Sequence, residues 1–131
     1  MPLVHISLLQ GKSPQYLRQV ADSVHQAMVD AFDVPPDDRF QKISQYDKGT
    51  LIADPLYLGG PRSADFVLIE ITAGRARSTT TKESFYRRLA QCLKDSPGLR
   101  PEDLMIVITT TQRDEWSFGN GLATLLQITE S

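Results

Sequence analysis

The chain predicts an α/β (α+β) fold made of a duplicated β-α-β unit: a four-stranded sheet with two helices on one face. Two successive programmes of apolar strand, capped helix and second strand carry that expectation. Landmarks of the first programme recur 65 positions later in the second, and 131 residues suffice for one core without disulfides or metal ions to hold it.

Leu3 to Leu9 is a short β-rich run, and Ser13 followed by Pro14 supplies an N-cap with proline in the first helical turn. Leu17, Val20, Ala21, Val24, Met28 and Ala31 recur at spacings of three and four, which sets them on one face of a helix ending near Phe32. Val34-Pro35-Pro36-Asp37-Asp38 stops that helix, and Arg39 to Tyr46 reads as the next strand. In the second half Asp65 to Thr72 is an apolar strand. Ser78 then caps a helix with Phe85, Leu89, Cys92 and Leu93 on one face, and Leu104 to Thr110 is the last strand. Pro36-Asp37-Asp38 matches Pro101-Glu102-Asp103, and Ser13 matches Ser78, each 65 positions on.

The expected organisation is a single domain over 1–131, with halves at about 2–47 and 64–111 and a C-terminal segment 112–131. The linker from Asp47 to Ala64, with Pro55, Gly59, Gly60 and Pro61, joins the halves. Gly59-Gly60-Pro61 reads as a turn, because the Lys-Ser/Thr ending of a phosphate loop is missing. With both helices on one side, the other sheet face lacks a cover, and a closed ring of subunits is the simplest way to bury it.

Acidic and basic residues nearly balance, 16 against 14, with no Lys/Arg stripe of the kind that follows a nucleic-acid backbone. Nucleic acid is excluded as the expected partner; a small molecule or further copies of the chain remain. No stretch nears about 18 consecutive apolar residues, so no membrane span is expected, nor a secretory leader. Cys92 is the sole cysteine, read as core, and no Cys/His spacing suggests a metal site. A reducing cytoplasm is the expected setting, and no cofactor is called for. His5 and His25 lack Ser, Cys or carboxylate at triad or metal spacing and read as structural or surface residues.

Four segments in order then resemble a known family: Met1-Pro2, Asp38-Arg39-Phe40-Gln41, Arg75-Ala76-Arg77-Ser78 and Trp116-Ser117-Phe118-Gly119-Asn120-Gly121. Together they resemble the malonate semialdehyde decarboxylase family of the tautomerase superfamily, over nearly the whole chain. The resemblance implies a tautomerase-like homotrimer in which Pro2, Asp38, Arg75 and Arg77 take the catalytic positions. It also implies a hydrophobic wall at Trp116 and Phe118, where Leu125 replaces a further aromatic. The branch typified by cis-3-chloroacrylate dehalogenase is less similar: His25 lies on the first helix, but its glutamate partner is missing.

Removal of Met1 would expose the Pro2 nitrogen as a rigid secondary amine, able to act as a base, an acid or an iminium-forming nucleophile. Nearby guanidinium groups and burial would favour its neutral form, and Asp38 its charged form; the balance decides which chemistry runs. Arg75 and Arg77, at the start of a helix, suit a substrate carboxylate. Three functions remain open: decarboxylation of a small 3-oxo acid such as malonate semialdehyde, keto-enol tautomerisation of a 2-oxo acid such as phenylpyruvate (or hydration of an unsaturated acid), and carboxylate binding by a non-catalytic trimer.

Overall fold

A computed structural model describes residues 2–128. The expected loss of Met1 concerns a residue outside that range, as do the last three positions of the C-terminal segment. Strands β1 (Pro2–Leu9), β2 (Gln41–Tyr46), β3 (Val67–Ala73) and β4 (Leu104–Thr110) form one sheet in the order β2-β1-β3-β4. Each half contributes a parallel pair, β1 with β2 and β3 with β4, and the halves meet through antiparallel β1 and β3. Helices α1 (Pro14–Ala31) and α2 (Thr79–Asp95) supply the two parallel crossovers. This is the predicted architecture.

The caps expected at Ser13 and Ser78 are in place, their hydroxyls accepting from the amides of Tyr16 at 3.0 Å and Thr81 at 3.1 Å. Phe32 closes α1, its N–H donating to the Met28 carbonyl at 3.1 Å. Asp33 then turns the chain with a left-handed φ of 56°. Val20, Val24 and Met28 of α1 and Phe85, Leu89 and Leu93 of α2 are buried with Val4, Ile6, Ile69 and Ile71 of the central strands. Phe32 and Phe85 join the helices, their ring centres 4.7 Å apart. Leu17 and Ala31, at the ends of the predicted stripe, are only partly buried, whereas Ser23 and Ala27 extend its middle. The Ser23 hydroxyl reaches the Ser96 carbonyl at 2.5 Å, which is how a serine is accommodated beside this core.

Two strands start later than their composition suggests, each for a side-chain reason. The expected strand from Arg39 begins at Gln41, because the Arg39 guanidinium is drawn to Asp22 of α1 at 2.7 Å and to Gln41 at 2.9 Å. The strand expected from Asp65 begins at Val67: Asp65 pairs with Lys12, and Phe66 closes a turn onto the Ser63 carbonyl. Strand alternation puts Leu3, Met105 and Val107 on the face opposite the helices, and all three are exposed.

The duplicated aspartates have diverged. Asp103 is wholly buried, and its carboxylate accepts from the Ser63 N–H at 2.6 Å, the Ser63 hydroxyl at 2.8 Å and Arg100 at 3.2 Å. Burial acts to raise its pKa, but these donors outweigh burial and hold it below the ordinary 3.8. A depressed folded pKa adds stability above the unfolded value that is lost as pH falls through the folded one. Asp103→Ala orphans the Ser63 donors and should cost about 2–4 kcal/mol in denaturant unfolding at neutral pH. The gap from wild type should shrink below pH 3.8. A neutral-pH midpoint equal to wild type would show that this network does not hold the linker.

Candidate active site

β3 and β4 end at the edge of the sheet where β1 and β2 begin, and the segments around that edge gather the candidate side chains. β3 ends at Ala73, with Pro2 opposite it in β1 and Thr110 of β4 on its other side. Gly74, Arg75 and Arg77 follow directly, before the capped start of α2. A cavity of about 470 Å³ opens here. Its lining comes from the β3–α2 loop (Gly74, Arg75, Arg77), from α1 and the segment after it (Val29, Asp33, Val34, Pro35, Asp38), and from the C-terminal region (Arg113, Leu125, Ile128).

Arg77 is the fixed cation of the group. Its guanidinium carbon stands 4.3 Å from the centre of the Phe32 ring, Nε donates to the Phe32 carbonyl at 3.2 Å, and one terminal nitrogen donates to the Arg75 carbonyl at 2.9 Å. Burial first, and the neighbouring Arg75 second, pull its pKa below the ordinary arginine value, and it stays charged at neutral pH. Asp33 and Asp38 stand near enough to act on its charge in the opposite sense, although among the described residues no carboxylate forms an ion pair with it. Arg75 is 52% exposed and pairs with Asp33, the residue that turned the chain out of α1. The first turn of α2 has no acidic side chain, which keeps the helix N-terminus favourable to negative charge.

Of the residues singled out by sequence, Asp38, Arg75, Arg77 and Leu125 line this cavity, and Pro2, Trp116 and Phe118 do not. Pro2 is buried at the head of β1, beside the strand end from which the arginine loop departs. The aromatic residues form a separate ladder: Trp116 and Phe118 stack at 5.6 Å with 11° between planes, and Phe118 meets Phe40 at 5.6 Å. The ladder is tied to the same strand ends. The indole N–H of Trp116 donates to the Thr111 hydroxyl at 2.6 Å, Thr111 donates to the Ala73 carbonyl, and the Phe40 carbonyl accepts from Val4 at 3.0 Å. Pro2 therefore heads a strand bordered by the roots of both the arginine loop and the aromatic ladder.

Sequence reading missed Arg113 and the ladder role of Phe40. Neither has a periodicity to reveal it, although Phe40 lies inside the Asp38-Arg39-Phe40-Gln41 segment. It also missed the surroundings of His5, whose Nε2 is 2.7 Å from the Ser44 hydroxyl and whose Nδ1 is 3.8 Å from Glu70. Strand pairing brings these three residues together across the open sheet face, which no chain spacing discloses. His25 contacts the Pro36 carbonyl at 2.8 Å, and Cys92 is buried in the core. Among the described residues no cluster of three or more His, Cys, Asp or Glu is placed to hold a metal ion, and no helix is long and apolar enough to cross a membrane.

Comparison with known proteins identifies the fold and the family. A family model described as "Tautomerase enzyme" matches residues 38–119, and a second of the same description matches residues 2–61. The Bacillus subtilis (strain 168) protein named "Probable tautomerase YusQ" is 37% identical over 127 residues, covering 97% of this chain and 100% of its own. A solved malonate semialdehyde decarboxylase superposes with a TM-score of 0.89 at 35% identity, over 95% of each chain. A fused 4-OT, described as a symmetric trimer, shares the fold at 19% identity with a TM-score of 0.76, over 96% of this chain and 99% of that one. On matches that span both halves and a full-length relative, this chain belongs to the tautomerase family of enzymes.

Proposed function

We propose that the chain decarboxylates a small 3-oxo acid, converting malonate semialdehyde to acetaldehyde and carbon dioxide with Pro2 as acid or amine catalyst. The convergence of Arg75, Arg77 and Asp38 on one cavity beside the Pro2 strand carries this reading. The 35% identical decarboxylase supports it. Arg75 and Arg77 hold the substrate carboxylate, the more deeply set Arg77 fixing its orientation. The bond between the carboxylate carbon and the α-carbon breaks, its electron pair moves into the carbonyl as an enolate, and carbon dioxide departs. The Pro2 ammonium gives its proton to the enolate oxygen, water restores that proton, and the enol ketonises to acetaldehyde. Asp38 holds the Pro2 ammonium or an ordered water. Leu125, with Trp116 and Phe118 in the adjoining ladder, supplies the apolar side that favours neutral carbon dioxide over the carboxylate.

The alternative of keto-enol tautomerisation of a 2-oxo acid uses the same groups, with Pro2 shuttling a proton between carbon and oxygen. The cavity volume favours it, since about 470 Å³ exceeds what a three-carbon acid fills. Carboxylate binding without chemistry loses its ground with membership of an enzyme family. We further propose a cytoplasmic homotrimer closed over the exposed sheet face, supported by a fold neighbour described as a trimer. Sedimentation of a stable monomer at micromolar concentration would contradict the trimer. The function is tested by comparing acetaldehyde release from malonate semialdehyde with ketonisation of phenylenolpyruvate by purified protein. The expected kcat/KM ratio favours the semialdehyde by about tenfold or more. The reverse ratio would assign the site to tautomerisation.

A further inference from the structure

Arg113 lines the cavity and has no part in the chemistry above. It stands in the short 3-10 turn Arg113–Glu115 after β4, which is clamped on itself: the Gln112 N–H donates to the Glu115 carboxylate at 2.8 Å and the Glu115 N–H to the Gln112 carbonyl at 3.1 Å. From this rigid base a terminal nitrogen of Arg113 donates to the main-chain carbonyl of Leu125. Leu125 belongs to the C-terminal turn Thr124–Gln127 and is only 1% exposed, although its neighbours Leu122, Leu126 and Ile128 are exposed. A turn with so little buried surface of its own depends on such ties for its place.

We infer that Arg113 is a specificity-determining positioning residue: by fastening the Leu125 carbonyl it holds the C-terminal turn as an apolar wall of the carboxylate cavity. This rests on the oxo-acid reading of the site. A substrate whose carboxylate is taken by Arg75 and Arg77 meets Leu125 and Ile128 with the rest of its chain. Releasing the turn widens the cavity there and leaves the carboxylate end intact. Discrimination by chain length falls more than reactivity does.

The tether is read first without turnover. Hydrogen exchange of the Leu126 amide, which bonds the Ala123 carbonyl inside the turn, should quicken at least about tenfold in Arg113→Ala, with β1 to β4 unchanged. Then kcat and KM are measured for oxo acids of increasing chain length. Arg113→Ala should shift KM unevenly across the series and compress the wild-type range of kcat/KM by about tenfold, with Arg113→Lys between. Leu125→Ala should compress it likewise, and the double variant should go no further than either single one. Unchanged Leu126 exchange overturns the inference, as do additive effects of the two substitutions. So does an equal rise in KM for every acid, which would make Arg113 a direct carboxylate ligand. If wild type turns over no oxo acid, the proposed function fails while the exchange measurement still decides the tether. If Arg113→Ala does not fold, Arg113→Gln and Arg113→Lys carry both measurements.

Discussion

Pro2→Ala should lower turnover about 10²- to 10⁴-fold, the range spanned by loss of one acid–base group, while folding and carboxylate binding persist. Alanine is smaller, fits the buried start of β1 opposite Ala73, and still ends in an amine once Met1 is removed. That amine is primary and freer to rotate, so the proton or carbonyl it must reach is no longer held in line with it. An anion that binds at Arg75 and Arg77 should titrate the variant with wild-type affinity. If the path runs through an iminium, borohydride added with substrate traps an adduct on the N-terminal peptide of wild type. Proton transfer alone leaves none. Undiminished turnover in Pro2→Ala would remove the amine from the mechanism.

Arg77→Ala should reduce kcat/KM about 10²- to 10³-fold, equivalent to about 3–4 kcal/mol, because it deletes the half-buried charge proposed to hold the carboxylate. Arg75→Ala should cost less, since Arg75 is half exposed and already shared with Asp33. Arg77→Lys should recover only part of the loss. A single ammonium cannot lie flat on Phe32 and reach two main-chain carbonyls while presenting a free N–H edge. The fold should tolerate the change, as a cation over an aromatic ring is worth about 0.5–1 kcal/mol at a partly exposed site. Wild-type kinetics in both alanine variants would reduce the pair to solvated loop charges.

The repeat was the most legible feature of the chain, because capping serines and punctuated helix stops obey local rules that survive duplication. Ser13, Ser78 and β4 fall where local chemistry puts them. Strand starts at Arg39 and Asp65 were less legible. Their side chains are recruited by Asp22 and Lys12 from the neighbouring layer, and such long-range ties leave no periodic trace. The same limit hid the two fates of the duplicated aspartates: Asp103 is locked by Ser63 across the linker, whereas Asp38 faces the cavity. Arg75 and Arg77 could be found because they flank a helix cap. Arg113 could not, because only tertiary folding brings it beside Leu125.

If a free Pro2 nitrogen performs the chemistry, one chain compared in two states of its N-terminus will show it. Protein made with Met1 quantitatively retained, verified by intact mass, is assayed on malonate semialdehyde and phenylenolpyruvate before and after an aminopeptidase removes that residue. Activity should be absent before cleavage and rise in proportion to the mass fraction that begins at Pro2, with binding of a carboxylate inhibitor tracked alongside. Equal turnover before and after cleavage would contradict the account, since a Pro2 nitrogen bound in a peptide can neither take a proton nor attack a carbonyl.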